Sequence, residues 1–144
     1  MQTQATKKID YNKLMIEQAL QETRENLGLV PSELQDVRRR MNKELKHESN
    51  DRGAVTNWLK WYQDQAEYEE LTATTLIEAR KYLGFDRVEM AKICGFKNMT
   101  EKSLYHTIYR MEKGMREIHP ALNRLVRSFL TGFRPHYWPE KPSD

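Results

Sequence analysis

The chain has 144 residues, 38% of them hydrophobic and 31% charged, and a formal net charge of +3. This length allows one ordinary domain or two very small ones. The single cysteine, Cys94, excludes an intrachain disulfide and favours a reducing compartment. No apolar run approaches the roughly 20 residues of a membrane span, and the N-terminus lacks an apolar signal core. We therefore expect a cytoplasmic protein that is not attached to a membrane.

The first half of the chain predicts three helices, because its apolar residues recur at helical spacing. Gly28 ends the first helix, as glycine often does, and Pro31 begins the second. The inward face of the first helix is predicted to carry Ile16, Leu20, Thr23 and Leu27. That of the second helix is predicted to carry Leu34, Val37, Met41 and Leu45. The third helix carries Val55, Trp58, Leu59 and Tyr62. The acidic piece "YQDQAEYEE" that follows indicates a border between halves.

The second half follows a similar plan. A helix with the stripe Leu76, Ala79 and Leu83 ends at Gly84. A short helix is expected over about residues 86–94, a longer one from about residue 100, and a last one after Pro120. No stretch alternates with period two for long enough to form a sheet. The fold class predicted is therefore all-α.

Residues 20–34, "LQETRENLGLVPSEL", and residues 76–90, "LIEARKYLGFDRVEM", have a repeated pattern. Six of these fifteen paired positions are identical, among them an arginine, a leucine and a glycine in one register. Such a spacing can indicate a supersecondary unit used twice. The predicted organisation is a helical unit over residues 1–66, a second one over 67–132, and an aromatic, proline-rich tail over 133–144.

The segment "GFDRVEMAKICGF", residues 84–96, carries a family resemblance. Its two glycine-apolar pairs, the acidic helix start and the Glu-Met-Ala series resemble the helix-turn-helix of Xre and Cro-like regulators. Downstream, "TIYRMEKG" resembles the end of the recognition helix of that family. The resemblance implies a lambda-repressor-like helix-turn-helix bundle, double-stranded DNA as the ligand, and a homodimer.

Two departures bear on this resemblance. Gly95 and Thr107 lie twelve residues apart, farther than is usual in the family, so the insertion lengthens the turn or extends the recognition helix. Met111 and His119 stand where the family commonly has Trp and Pro. In the first half, "AVTNWLKW" resembles the end of a recognition helix. That half is then either a diverged DNA-reading unit, giving two helix-turn-helix units in tandem, or a helical dimerisation module.

The candidate DNA-binding residues lie on the helix that begins near residue 100. With Leu104, Ile108 and Met111 toward the core, Lys102, Ser103 and His106 are placed to read base edges. The residues expected to contact phosphates are Tyr109, Arg110, Lys113, Arg87 and Arg80, the last two by resemblance to the family. The analogous face of the first half carries Arg52, Thr56, Asn57 and Lys60, and Asn57 could pair with adenine. A plain solvated face is the alternative for both helices, as it is for the "RRR" run at residues 38–40.

Several other kinds of site are not predicted. The four histidines show no metal-ligand spacing, and there is no second cysteine. No nucleophile with an adjacent base and no phosphate-binding glycine loop occurs, so neither an enzyme nor a bound cofactor is expected. Cys94 is interpreted as a packing residue. Tyr137 and Trp138 in the tail are expected to form a strap over the last helix, and a docking peptide for a partner is the alternative.

The function predicted is a sequence-specific DNA-binding transcriptional regulator of bacterial or phage type, acting by operator occupancy. The main alternative is a protein-interaction module on the same scaffold, such as an antitoxin or antiactivator, because function lies in the exposed face and not in the fold. Its partner would bind through the N-terminal unit or the tail. RNA binding is a third option and would use exposed aromatic residues for stacking.

Overall fold

The computed structural model describes residues 9–140, and within this range the chain is helical and contains no strand. The all-α class is thereby confirmed. The elements are α1 Tyr11–Leu27, α2 Pro31–Leu45, a 3-10 helix Lys46–Asn50, α3 Arg52–Gln65, α4 Ala73–Leu83, α5 Arg87–Ile93, α6 Glu101–Glu112 and α7 Pro120–Leu130. None of the helices in this range combines the length and the apolar character that a membrane crossing requires.

The predicted helix ends follow from local chemistry that recurs in both halves. Gly28 and Gly84 adopt left-handed conformations, with φ of 65° and 79°, and end α1 and α4. After each glycine a glutamate accepts a hydrogen bond from a backbone N–H three residues earlier. Glu33 accepts from Val30 at 2.9 Å, and Glu89 accepts from Asp86 at 3.0 Å. These contacts satisfy amides that have no partner within the helix, and the Asp86 side chain reciprocates by accepting from the Glu89 N–H at 2.8 Å.

The buried side chains form two clusters that correspond largely to the two halves. The first lies among α1, α2 and α3, and its largest buried members include Leu20, Met41 and Leu59. The second lies among α4 to α7 and includes Leu76, Met90 and Phe129. Val30, which precedes α2, is buried in the second cluster. The first half therefore contributes an apolar side chain to the core of the second.

A polar junction also joins the halves. The Arg127 guanidinium on α7 contacts both carboxylate oxygens of Glu33, at 2.5 and 2.8 Å. The same side chain donates to the Gly28 carbonyl oxygen at 2.9 Å. The backbone N–H of Ser32 donates to the Glu78 carboxylate at 2.6 Å. These bonds connect the start of α2 to α4 and α7.

The segment between α5 and α6 spans residues 94–100. Gly95 and Asn98 have positive φ, 94° and 58°, so the chain reverses without regular structure before Thr100 caps α6. Because α6 begins at Glu101, six residues ahead of Thr107, the predicted insertion contributes to both the turn and the front of the helix.

The C-terminal tail packs against the second core, and Trp138 makes the contact. The Trp138 ring lies 5.0 Å from the rings of Phe85 and Phe129, centroid to centroid. The Arg134 guanidinium lies over its ring at 4.2 Å. The predicted strap is confirmed for Trp138 and is wrong for Tyr137, which is exposed. Residues 1–8 and 141–144 of the predicted N-terminal unit and tail lie outside the described range.

Candidate nucleic-acid interface

Helix α6 has two faces of opposite character. Leu104, Ile108 and Met111 are buried, as their spacing predicts, and Thr107 and Glu112 are buried beside them. The other face is polar and consists of Lys102, Ser103, His106, Tyr109, Arg110 and Lys113. All of these are exposed except Tyr109, which is half-buried. Since residues three and four apart share a side of a helix, these six form one continuous stripe.

The stripe has a higher density of positive charge than the chain as a whole. Lys102, Arg110 and Lys113 are exposed cations, whereas Glu101 is the one exposed acid on α6. The other acid of this helix, Glu112, has no side-chain exposure. A net charge of +3 over 144 residues is therefore compatible with a local excess of positive charge on this helix.

Arg87, the first residue of α5, extends the stripe. Its Nε donates to Glu112 at 3.0 Å and its Nη1 donates to the Tyr105 hydroxyl at 3.0 Å. The guanidinium also lies 5.1 Å from the Tyr105 ring centroid and 5.3 Å from that of Tyr109. These contacts hold the Arg87 side chain against α6.

Arg80 lies inside the bundle and not on the stripe, which differs from the surface phosphate contact expected for it. Its Nε donates to Glu112 at 2.8 Å, and its Nη1 donates to the Phe85 carbonyl oxygen at 3.1 Å. Glu112 therefore accepts from two arginines, Arg80 and Arg87. The buried carboxylate neutralises Arg80 and at the same time orients Arg87.

Tyr105 is a member of this surface that the sequence reasoning missed. Its ring stacks on that of Tyr109 at 5.9 Å with 16° between the planes, and it is partly exposed. Lys113 places its Nζ 5.5 Å from the Tyr109 centroid. The i, i+4 spacing of Tyr105 and Tyr109 in the sequence is the pattern that predicts such a stack on a helix.

The candidates of the first half form a separate group on α3. Arg52, Asn57 and Lys60 are exposed, and Arg52 and Lys60 share one side of the helix because they lie two turns apart. The apolar residues Val55, Trp58 and Leu59 face the first core.

The "RRR" run is held in ion pairs and does not form a free cationic surface. Arg38 makes two bonds of 2.7 Å to the Glu17 carboxylate. Arg39 contacts Asp36 at 3.1 Å, and the Arg40 Nε contacts Glu44 at 3.4 Å. Each of these charges has an acidic partner on α1 or α2, in agreement with the solvated alternative.

Cys94 packs against the second core, and burial raises the pKa of its thiol to about 12. A thiol with this pKa is protonated at neutral pH and is a poor nucleophile. No group of three or more His, Cys, Asp or Glu side chains within residues 9–140 could hold a metal ion.

Comparison with known proteins yields no relative of this chain. No protein-family model matches it, and no curated protein and no solved structure shows significant similarity to it. The resemblance to Xre and Cro-like regulators stays a prediction from the sequence.

Proposed function

We propose that this protein is a sequence-specific double-stranded DNA-binding regulator that places α6 in the major groove. In this proposal α5, residues 94–100 and α6 form the helix-turn-helix. The observation that supports it best is the stripe on α6: a continuous polar and cationic surface lies directly opposite a buried apolar one. A helix with its apolar side packed and its cationic side free suits the width of the groove.

The residues near the start of α6 are assigned to base reading. Lys102, Ser103 and His106 lie in the first two turns, where the recognition helix of a helix-turn-helix meets base edges. Lysine can donate to guanine, and serine can donate to or accept from several bases.

The later residues are assigned to the DNA backbone. Arg110 is exposed in the last turn of α6, and Lys113 is exposed directly after its end. Arg87, at the start of α5, lies against the Tyr109 ring. Tyr109 supports Arg87 and Lys113 with its ring. Contacts of this kind fix the register of a protein on the duplex and carry no sequence information. Arg80 is left out of this set because its guanidinium is buried with Glu112.

Regulation would then follow from operator occupancy, which blocks or recruits polymerase. A homodimer with two α6 helices would bind half-sites about 34 Å apart. If the α3 group of Arg52, Asn57 and Lys60 also reads DNA, one chain would cover a longer site without strict symmetry. If it does not, the first half is the dimerisation module.

The second candidate function is binding to a partner protein, as in an antitoxin or antiactivator. It is favoured by the exposed apolar side chains at the start of α1, which are Ile9, Tyr11, Leu14 and Met15. Neighbouring exposed apolar residues often mark a protein contact. This surface belongs to the first half and is compatible with DNA binding by the second.

The test measures fluorescence anisotropy with DNA from the protein's own promoter region and with a random duplex of equal length, over a range of salt concentrations. Site-preferring binding that weakens steeply with salt is expected. The variant Lys102→Ala/Arg110→Ala should lose this preference. The matched control Lys13→Ala/Lys43→Ala removes two exposed cations from α1 and α2 and should retain it.

Equal and weak binding to both duplexes would contradict the proposal, since bulk charge alone would account for it. Equal loss of binding in the test and control variants would contradict it as well. Tighter binding to a single-stranded RNA of the same length would favour the stacking alternative, with Tyr105 and Tyr109 as the aromatic surface.

A further inference from the structure

A cleft of about 590 Å³ lies where the two halves meet. It is bounded by α2, the end of α3, the segment over residues 66–69 and Arg127 of α7. We call it the junction cleft. Its volume falls within the range of small-molecule sites, which commonly lie between structural units.

The lining of the junction cleft has an excess of acid. It contains four carboxylates and two guanidinium groups, namely Glu33, Asp36, Glu67 and Glu69 against Arg40 and Arg127. Glu33 and Arg127 neutralise each other in the ion pair at the junction. Of the other lining charges, Asp36 pairs with Arg39 and Arg40 pairs with Glu44, both outside the lining. The exposed carboxylates Glu67 and Glu69 form no ion pair within residues 9–140. The cleft is negative although the chain as a whole is positive.

The junction cleft also has an aromatic wall. Trp61, Tyr62 and Tyr68 line it, and the Arg40 guanidinium lies 5.5 Å from the Trp61 centroid and 5.8 Å from that of Tyr62. The guanidinium of Arg40 therefore already lies against this wall, at a distance where the ring quadrupole attracts a cation.

The ionisation of Tyr62 agrees with a negative environment. Burial raises the pKa of its phenol, and the Glu69 carboxylate adds to this rise and outweighs the opposing effect of Arg40. Burial disfavours a charge of either sign, whereas the contribution of Glu69 disfavours an anion and favours a cation in the same place.

We infer that the junction cleft binds a small organic cation bearing an ammonium or guanidinium group. The charged group lies against Tyr62 and Tyr68, and Asp36, Glu67 and Glu69 balance it. Arg40 competes for the same wall, and Arg124 lies 5.9 Å from the Tyr68 ring centroid. Because elements of both halves line the cleft, an occupant contacts both at once. This site goes beyond DNA binding and does not depend on it.

The test is calorimetric titration of the full chain with agmatine and with putrescine, at physiological ionic strength and without DNA. Saturable binding with one site per chain is expected at a Kd of about 1 mM or below. Succinate, an anion of similar length, should not bind. The variant Asp36→Asn/Glu67→Gln should weaken agmatine binding by about tenfold or more, since two balancing charges are removed.

The matched control Glu22→Gln/Glu117→Gln removes two exposed carboxylates that do not line the junction cleft and should leave the Kd unchanged. A third variant should change the Kd in the opposite direction. Arg40→Gln removes the competing guanidinium and should tighten binding severalfold, whereas Lys92→Gln, which removes an exposed cation on α5, should not.

Circular dichroism checks that each variant is folded. The inference is overturned if no saturable heat appears up to about 10 mM, if succinate binds as well as agmatine, or if both carboxylate variants respond equally. An unchanged Kd in Arg40→Gln would place the cation elsewhere and would also overturn it. None of these outcomes bears on DNA binding, so the two proposals fail separately.

Discussion

Arg24 and Arg80 hold matching positions in the two halves, and each donates to the carbonyl oxygen that follows the glycine at the helix end. The Arg24 Nη1 lies 3.3 Å from the Leu29 oxygen, and the Arg80 Nη1 lies 3.1 Å from the Phe85 oxygen. Both arginines are buried. The repeated Arg-x-x-x-Gly pattern thus builds the same helix end twice.

The two arginines differ in what neutralises or covers them. Arg80 has the buried carboxylate of Glu112, at 2.8 Å from its Nε. Arg24 instead lies over the Tyr82 ring at 4.6 Å, donates to the Leu130 carbonyl oxygen at 3.4 Å and pairs at 3.8 Å with the exposed carboxylate of Glu25. Within residues 9–140, Arg24 therefore has no buried carboxylate partner like Glu112.

Glu112→Ala should destabilise the fold by about 3–5 kcal/mol, because it leaves the Arg80 guanidinium buried without its partner. Urea unfolding at neutral pH measures this. Glu101→Ala, at an exposed position of the same helix, is the control and should change the free energy of unfolding little. A loss below about 1 kcal/mol in Glu112→Ala would show that water replaces the carboxylate.

Gly28→Ala should destabilise more than Gly114→Ala, although both glycines have similar φ, 65° and 71°. A Cβ at Gly28 would lie 2.7 Å from the Arg127 backbone oxygen, whereas nothing lies within 4 Å of one at Gly114. We expect about 1 kcal/mol for Gly114→Ala from backbone strain alone, and about 3 kcal/mol for Gly28→Ala. Thermal and urea unfolding measure the difference. Equal losses would mean that α7 shifts away at no cost.

The ion pair between Glu33 and Arg127 should make the free energy of unfolding depend on pH in the acidic range. Burial opposes the effect, but hydrogen bonds from Arg127 and the Val30 N–H, with the Arg127 charge, hold the pKa of Glu33 below its ordinary value. The unfolded chain therefore binds this proton more tightly than the folded one. The stabilisation from this ion pair is fully present above the pKa of Glu33 in the unfolded chain, about 4.3. It is lost as the pH falls through the lower pKa of Glu33 in the folded state.

Unfolding of Glu33→Gln and of the unmodified chain over a series of pH values tests this. The gap in stability should be constant near neutral pH and should narrow below about pH 4. Glu22→Gln, at an exposed position of α1, is the control and should show no such narrowing. A gap that stays constant down to pH 3 would contradict the expected titration of Glu33 in this window.

Trp138→Ala should destabilise the second half by about 2 kcal/mol, because its partly buried ring packs between Phe85 and Phe129. Tyr137→Ala removes an exposed ring from the adjacent position and should have an effect within about 0.5 kcal/mol. Similar effects of the two variants would show that the tail does not rest on the core in solution.

Under the proposed function, Arg87→Gln should weaken binding to promoter and random DNA by the same factor. A phosphate contact contributes without sequence preference, so the slope of log affinity against log salt should fall by about 1. Lys81→Gln, an exposed cation of α4, serves as the control and should leave the slope unchanged. A loss confined to promoter DNA would assign Arg87 to base reading.

The sequence by itself determined the helical class, the approximate helix ends and the inward faces. Glycine conformation, proline position and capping depend on neighbours a few residues away, so Gly28, Pro31 and Gly84 indicate the ends directly. Likewise, residues at helical spacing share a side whatever the fold, which is why Leu104 and Ile108 were placed inward correctly.

Only the tertiary structure decided which charges are buried and which pair with each other. Arg80 and Arg87 look alike in the sequence and both pair with Glu112 of another helix, yet Arg80 is buried and Arg87 is partly exposed beside the stripe. The pairing of Arg127 with Glu33 spans the two halves in the same way. Contacts between distant elements depend on how helices dock, and helical spacing carries no information about docking. The residues of the stripe were therefore predictable one by one from the sequence. The contact between Glu112 and Arg87 was not predictable, and neither was the junction cleft.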